Sequence, residues 1–118
     1  MAAELSREDV VAAREAIAGR LHRTPVFSSA TLGERTGAPV YLKAELFQRT
    51  GSFKPRGVLT KLASLSPEEK SRGVIGISAG NHAQALAYCA ALEDVDALSE
   101  HLVASGRWTE SEGTAVAP

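Results

Sequence analysis

The chain is poor in cysteine. Cys89 stands alone among 118 residues, which excludes an intramolecular disulfide framework and a thiolate-rich zinc site. Aromatic residues make up only 5%, and the single tryptophan, Trp108, lies in a polar stretch that carries no functional signal. No apolar run approaches the roughly 18 residues that span a bilayer. The first eight residues hold Glu4 and Glu8 and no apolar core, so they do not read as a secretory signal. A cytoplasmic protein without a membrane partner is the expectation. Positive charge is not in excess either: the net charge is −1, which argues against the basic face of a nucleic-acid binder. With 44% hydrophobic and 23% charged residues, fibrous, collagen-like and wholly disordered classes are excluded. The length fits one small domain or part of a larger one.

The net charge conceals an asymmetry. Residues 1–92 carry 12 Lys and Arg against 8 Asp and Glu, a net +4; residues 93–118 carry one Arg against 6 acids, a net −5. Such a shift marks a boundary.

Within the first segment the local signals are clear. Ser6 with Asp9 three residues later resembles a capping box, and Val10, Ala13, Ile17 and Leu21 follow at helical spacing. This predicts a helix over 7–18. Pro25 disfavours helix at Thr24, so 23–26 reads as extended chain. A short helix over 29–36 closes at Gly37, and residues 40–46 alternate as a strand. Thr50-Gly51-Ser52 breaks the chain, and a helix from Phe53 to about Leu65 tolerates Pro55 in its first turn. Ser66 caps the next start, with Pro67 at the first helical position and Glu69 as box partner. Residues 73–77 read as a buried-type strand, 78–82 as a polar turn, and 83–92 as a helix. Strand–helix–strand–helix order from residue 40 predicts a parallel α/β arrangement.

Both polar turns then leave a strand and enter a helix, which places them together at the carboxyl edge of a parallel sheet. The first offers Ser52, Lys54 and Arg56; the second offers Ser78, Asn81, His82 and Gln84. The positive end of the helix dipole disfavours an ammonium at Lys54, and a readily deprotonated lysine suits attack on a carbonyl. From spacing alone a solvated helix-start lysine is the commoner reading. The turn over 78–82 presents backbone N–H groups to a carboxylate or phosphate; an ordinary βα turn with Asn81 as helix cap satisfies the same spacing. His22 and His101 lack metal-ligand spacing and read as surface residues. Cys89 sits on an Ala-rich helical face and reads as core. A Ser78–His82 nucleophile pair lacks the strained elbow that such chemistry uses.

Residues 42–57, Leu-Lys-Ala-Glu-Leu-Phe-Gln-Arg-Thr-Gly-Ser-Phe-Lys-Pro-Arg-Gly, followed by Ser78-Ala79-Gly80-Asn81-His82-Ala83-Gln84-Ala85, resemble the threonine/serine dehydratases and serine racemases. These are fold-type II pyridoxal-phosphate enzymes, with the tryptophan synthase beta-like α/β fold. The resemblance covers about residues 5–92 and includes Arg23-Thr24-Pro25 ahead of the first motif. It implies that Lys54 holds pyridoxal phosphate as a Schiff base and later removes the substrate Cα proton. Phe53 would pack beside the cofactor ring, and Asn81 would hydrogen-bond its phenolic oxygen. Ser78, Gly80, His82 and the adjoining N–H groups would hold the substrate carboxylate. The implied reaction converts threonine or serine to a 2-oxo acid and ammonia, in full-length relatives that are homo-oligomeric. In the racemases the residue before the glycine of the second turn is a serine that serves the opposite face of Cα. Here it is Ala79, which cannot transfer a proton, so dehydratase is favoured over racemase.

Beyond Leu92 the resemblance stops. Val95, Leu98 and Leu102 suit a helix better than the β-branched strand the family pattern continues with. Residues 105–118 read as unstructured, and no glycine-rich run follows Gly80 to serve as a phosphate loop. The expectation is an incomplete fold-type II parallel sheet with flanking helices. Residues 1–92 would be the N-terminal part of a truncated dehydratase, and 93–118 a divergent acidic tail, partly disordered; whether that tail comes from a frameshift is a question for the encoding nucleotide sequence. A non-catalytic fragment or interaction module is the alternative.

Overall fold

The computed structural model describes residues 4–78 and 80–99. Helix α1 (Arg7–Ala16) starts as its capping signal predicts. The Asp9 N–H donates to Ser6 Oγ at 3.1 Å, and the Ser6 N–H donates back to the Asp9 carboxylate at 2.8 Å. The helix closes two residues earlier than expected, and Ile17 and Leu21 reach the core from the turn that follows. Strand β1 (Val26–Ser28) leads into α2 (Ala30–Thr36), which Ser29 caps and Gly37 ends. Strand β2 (Tyr41–Lys43) is shorter than the expected 40–46, because the chain turns at Ala44 into a 3₁₀ turn.

Helix α3 (Lys54–Ala63) and helix α5 (Asn81–Glu93) build the core. Between them lie α4 (Pro67–Ser71) and β3 (Val74–Gly76). The α4 capping box forms as predicted, with the Glu69 N–H on Ser66 Oγ at 3.2 Å and the Ser66 N–H on the Glu69 carboxylate at 2.8 Å. Val58, Leu59 and Leu62 of α3 pack against Ala85, Leu86, Cys89 and Ala90 of α5. The alanine-rich face of α5 lets the helix axes approach closely, so Leu59 and Cys89 are wholly enclosed. Burial pushes the Cys89 thiol up to about 11, which suits its core reading and leaves no reactive thiolate.

The strand pairing differs from expectation in two places. β2 pairs antiparallel with β1 (Val26 opposite Lys43), not with β3. The strands on either side of α3 therefore lie in separate two-stranded sheets. The chain between β1 and β2 is short enough for a return pairing, which strand order alone does not show. The second difference is strand β4 (Ala97–Ser99), where helix was favoured. Asp94 ends α5 in left-handed backbone (φ 53°), a conformation aspartate tolerates. Val95 then drops into the core, and the Val74 N–H donates to the Asp96 carbonyl at 2.8 Å. Parallel pairing with β3 follows, Ile75 opposite Leu98. The α/β class holds, with the parallel sheet reduced to these two strands. His101, Trp108 and the stretch expected to be unstructured lie outside the described residues. Among the described residues no helix is long and apolar enough to cross a membrane.

Candidate functional site

Two tight turns deliver Lys54. Residues Glu45–Phe47 make one 3₁₀ turn, and Arg49–Gly51 follow as a kinked, non-helical turn. Thr50 (φ 61°) and Gly51 (φ 69°) both take left-handed backbone. Glycine does so freely, whereas threonine pays about 1 kcal/mol. Thr50 Oγ1 is also buried without a hydrogen-bond partner. The reversal places Ser52 ahead of α3, where its Oγ accepts the Lys54 N–H at 3.4 Å. Lys54, rather than Phe53, is the first helical residue, and Pro55 behind it needs no N–H partner.

The Lys54 side chain is half-buried. Its Nζ lies 5.4 Å from the Phe53 ring centroid, within cation–π range. Among the described residues it has no ion-pair or hydrogen-bond partner. Phe53, Lys54, Lys61 and His82 line a cleft of about 560 Å³ floored by apolar side chains such as Leu62 and Leu86. β3 closes in tightly here. A methyl group at Gly76 would lie 2.7 Å from Leu86 Cδ2 and 3.4 Å from His82 Nε2, so a side chain there would have to displace Leu86.

The structure thus brings Phe53, Lys54 and His82 together. Ser78, Gly80 and Asn81 sit on the adjoining turn rather than in the cleft wall. Asn81 is not the helix cap: Gly80 occupies that position, and Asn81 is the exposed first residue of α5. The Gly80 N–H is engaged by Ser78 Oγ at 3.2 Å. The first helical bond runs from the Gln84 N–H to the Gly80 carbonyl at 3.3 Å. The N–H groups of Asn81, His82 and Ala83 precede that ladder and face outward from the helix start.

Arg56 also lines the cleft, but its guanidinium is already engaged. Its Nε and Nη2 donate to the two Glu45 oxygens, each at 2.8 Å, and Nη2 also donates to the His22 carbonyl at 3.1 Å. The Thr24 hydroxyl donates to Glu45 as well. Glu45, Thr24 and Gln48 are functional-region residues that sequence reasoning passed over. Nothing in the local spacing flags a pair 11 residues apart across irregular chain, although an acid and a base within one motif was an available signal. His22 is exposed as expected, but its main chain is gripped by Gln48. Among the described residues no grouping of His, Cys, Asp or Glu could hold a metal ion.

The Arg56 guanidinium holds the Glu45 carboxyl at about 2, well below its usual 4.5; burial opposes this, while the Thr24 hydroxyl and the charges of Arg56 and Lys43 assist. A lowered folded-state value stabilises the fold above the unfolded value and loses that contribution as pH falls through the folded one. With the Glu45 side chain only 16% exposed, stability is expected to fall by on the order of 2 kcal/mol between about pH 5 and pH 2. Urea midpoints across that range measure it, and Glu45→Gln should flatten the slope.

Residues 17–98 match the family described as "Pyridoxal-phosphate dependent enzyme", more than half of the chain. The chain belongs to this family. It is 45% identical over 93 residues to an L-threonine ammonia-lyase of Thermotoga maritima, covering 79% of this chain and 23% of that protein. It is 47% identical over 96 residues to a serine racemase of Bos taurus, covering 79% and 29%. The solved structure of maize serine racemase superposes with a TM-score of 0.71 at 38% identity, covering 79% and 29%. The chain spans about a quarter of the length of the curated relatives it matches. The described residues are a partial fold-type II α/β unit, and pyridoxal phosphate is the cofactor of the family. The cleft suits the ring and carbonyl ends of that group. It offers a primary amine without a polar partner, an exposed aromatic face beside it and an apolar floor.

Proposed function

We propose that this chain carries the cofactor-attachment and carboxylate-binding part of a threonine/serine ammonia-lyase. The observation that carries the reading is the unpartnered Lys54 amine beside the Phe53 face in a cleft that His82 also lines. When bound, pyridoxal phosphate supplies the electron sink for charge developing at the substrate Cα. Lys54 Nζ would hold the cofactor covalently, and the same amine would serve as the base for the substrate Cα proton. Phe53 would pack beside the cofactor ring. Asn81, exposed at the start of α5, would donate its amide to the phenolic oxygen. Ser78, Gly80, His82 and the N–H groups ahead of the α5 ladder receive the substrate carboxylate, aided by the positive end of the helix dipole. The net reaction removes the β-hydroxyl of threonine or serine and yields a 2-oxo acid and ammonia. Position 79 is alanine, which has no proton to deliver to the second face of Cα, so elimination is favoured over racemisation. Assembly of the enzyme into homo-oligomers belongs to the same proposal.

The test is a titration of the purified chain with pyridoxal phosphate, followed by absorbance. A band near the visible edge that responds to threonine or serine is the expected result. Chiral analysis of a serine reaction distinguishes 2-oxo acid from D-serine. No amino-acid-responsive band at saturating cofactor would sink the reading.

A further inference from the structure

The Lys54 amine makes no hydrogen bond or ion pair among the described residues, so its place in the cleft depends on what holds the backbone around it. Two anchors follow Lys54 directly in the chain. Pro55 is enclosed beneath α5, and its carbonyl accepts the Cys89 S–H at 3.6 Å. Arg56 is held by both oxygens of Glu45. That pair is itself tied to the segment 22–24. The buried Thr24 donates its hydroxyl to Glu45, and Lys43 Nζ donates to the Thr24 carbonyl at 3.1 Å. Gln48, also buried, accepts the His22 N–H at 2.9 Å and donates to the His22 carbonyl at 2.7 Å. Arg56 reaches that same carbonyl. The strand-to-helix connection is therefore laid along residues 22–24, and the first turn of α3 is fixed to both. Bidentate arginine–carboxylate geometry adds angular restraint that a single contact lacks.

We propose that Glu45 is a positioning residue for Lys54, acting through Arg56. By orienting the first turn of α3, it sets the direction in which the Lys54 side chain leaves the backbone and enters the cleft. The inference deepens the proposed function, since it rests on Lys54 as the attachment residue. Supporting groups of this kind hold a reactive side chain to within fractions of an ångström.

The test compares acylation rates of Lys54 and Lys61 by mass spectrometry in the full chain. Both amines line the same cleft on one helix, and Lys61 serves as the internal standard. In Glu45→Gln and in Arg56→Gln the Lys54-to-Lys61 ratio should change by about twofold or more, twofold being the low end of coupling between contacting groups. The double variant should change it no further than either single one. A ratio that stays put in a folded Glu45→Gln chain overturns the proposal, as does an equal change at both lysines, which would signal general loosening. Should Glu45→Gln fail to fold, Thr24→Val keeps both charges and removes one donor to Glu45. A smaller change in the same direction supports the proposal, and none overturns it. Pyridoxal phosphate takes no part in these reactions. Failure of the unaltered chain to capture the cofactor would therefore count against the proposed function alone.

Discussion

Lys54→Ala is expected to leave the chain folded and to abolish covalent capture of pyridoxal phosphate. The amine lies 5.4 Å from the Phe53 ring centroid and holds no hydrogen bond or ion pair among the described residues. Alanine is a good helix former at the first position of α3, so the urea midpoint should move by no more than about 0.5 kcal/mol. The effect on capture is of another size. Lys61 is the other primary amine in the cleft wall, two turns further along α3. A misplaced group forfeits about a hundredfold in rate, so Lys61 does not substitute for Lys54. Lys61→Ala is the matched control and should retain the absorbance band. Loss of the band in both variants, or in neither, would place attachment elsewhere or nowhere.

Leu59→Ala has the largest expected effect on stability. The side chain is fully enclosed between α3 and α5. Its truncation removes buried methyl groups and leaves a cavity among Val58, Leu62, Leu86 and Cys89, at a cost of about 3 kcal/mol. A domain of this size has little stability to lose. Circular dichroism during urea unfolding should show the cooperative transition moved to much lower denaturant or gone. Leu46→Ala is the contrast. That side chain is 68% exposed, so the midpoint should shift by no more than about 0.5 kcal/mol. Comparable losses in the two variants would contradict the assignment of the core.

What the sequence made legible was short-range. Both serine capping boxes form at the predicted residues, because a cap is decided within four positions. The two chemistry-bearing turns are also where they were expected, since Gly51, Pro55 and Gly80 punctuate the chain locally. Contacts between distant stretches were not legible. β2 turns back on β1, and β4 finds the open edge of β3, through backbone hydrogen bonds that leave little trace in side-chain pattern. The apolar spacing of Val95 and Leu98 suited a helix, but Asp94 reverses the chain and sends Val95 into the core. At the site, Lys54 and His82 share one cleft as expected, but not along the edge of one parallel sheet: β2 and β3 lie in separate sheets, and the packing of α3 on α5 brings the two residues together. The Arg56–Glu45 pair was not legible, because the turns between the two residues bring them together and propensity does not forecast that.

The measurement that bears most directly on the account is peptide mapping after cofactor capture. The chain is incubated with pyridoxal phosphate, the linkage is fixed by borohydride reduction, and the digest is sequenced by mass spectrometry. The mass of one reduced cofactor on Lys54, absent from Lys43, Lys61 and Lys70, is the expected result. An increment spread over the exposed lysines, or none at Lys54, would contradict it.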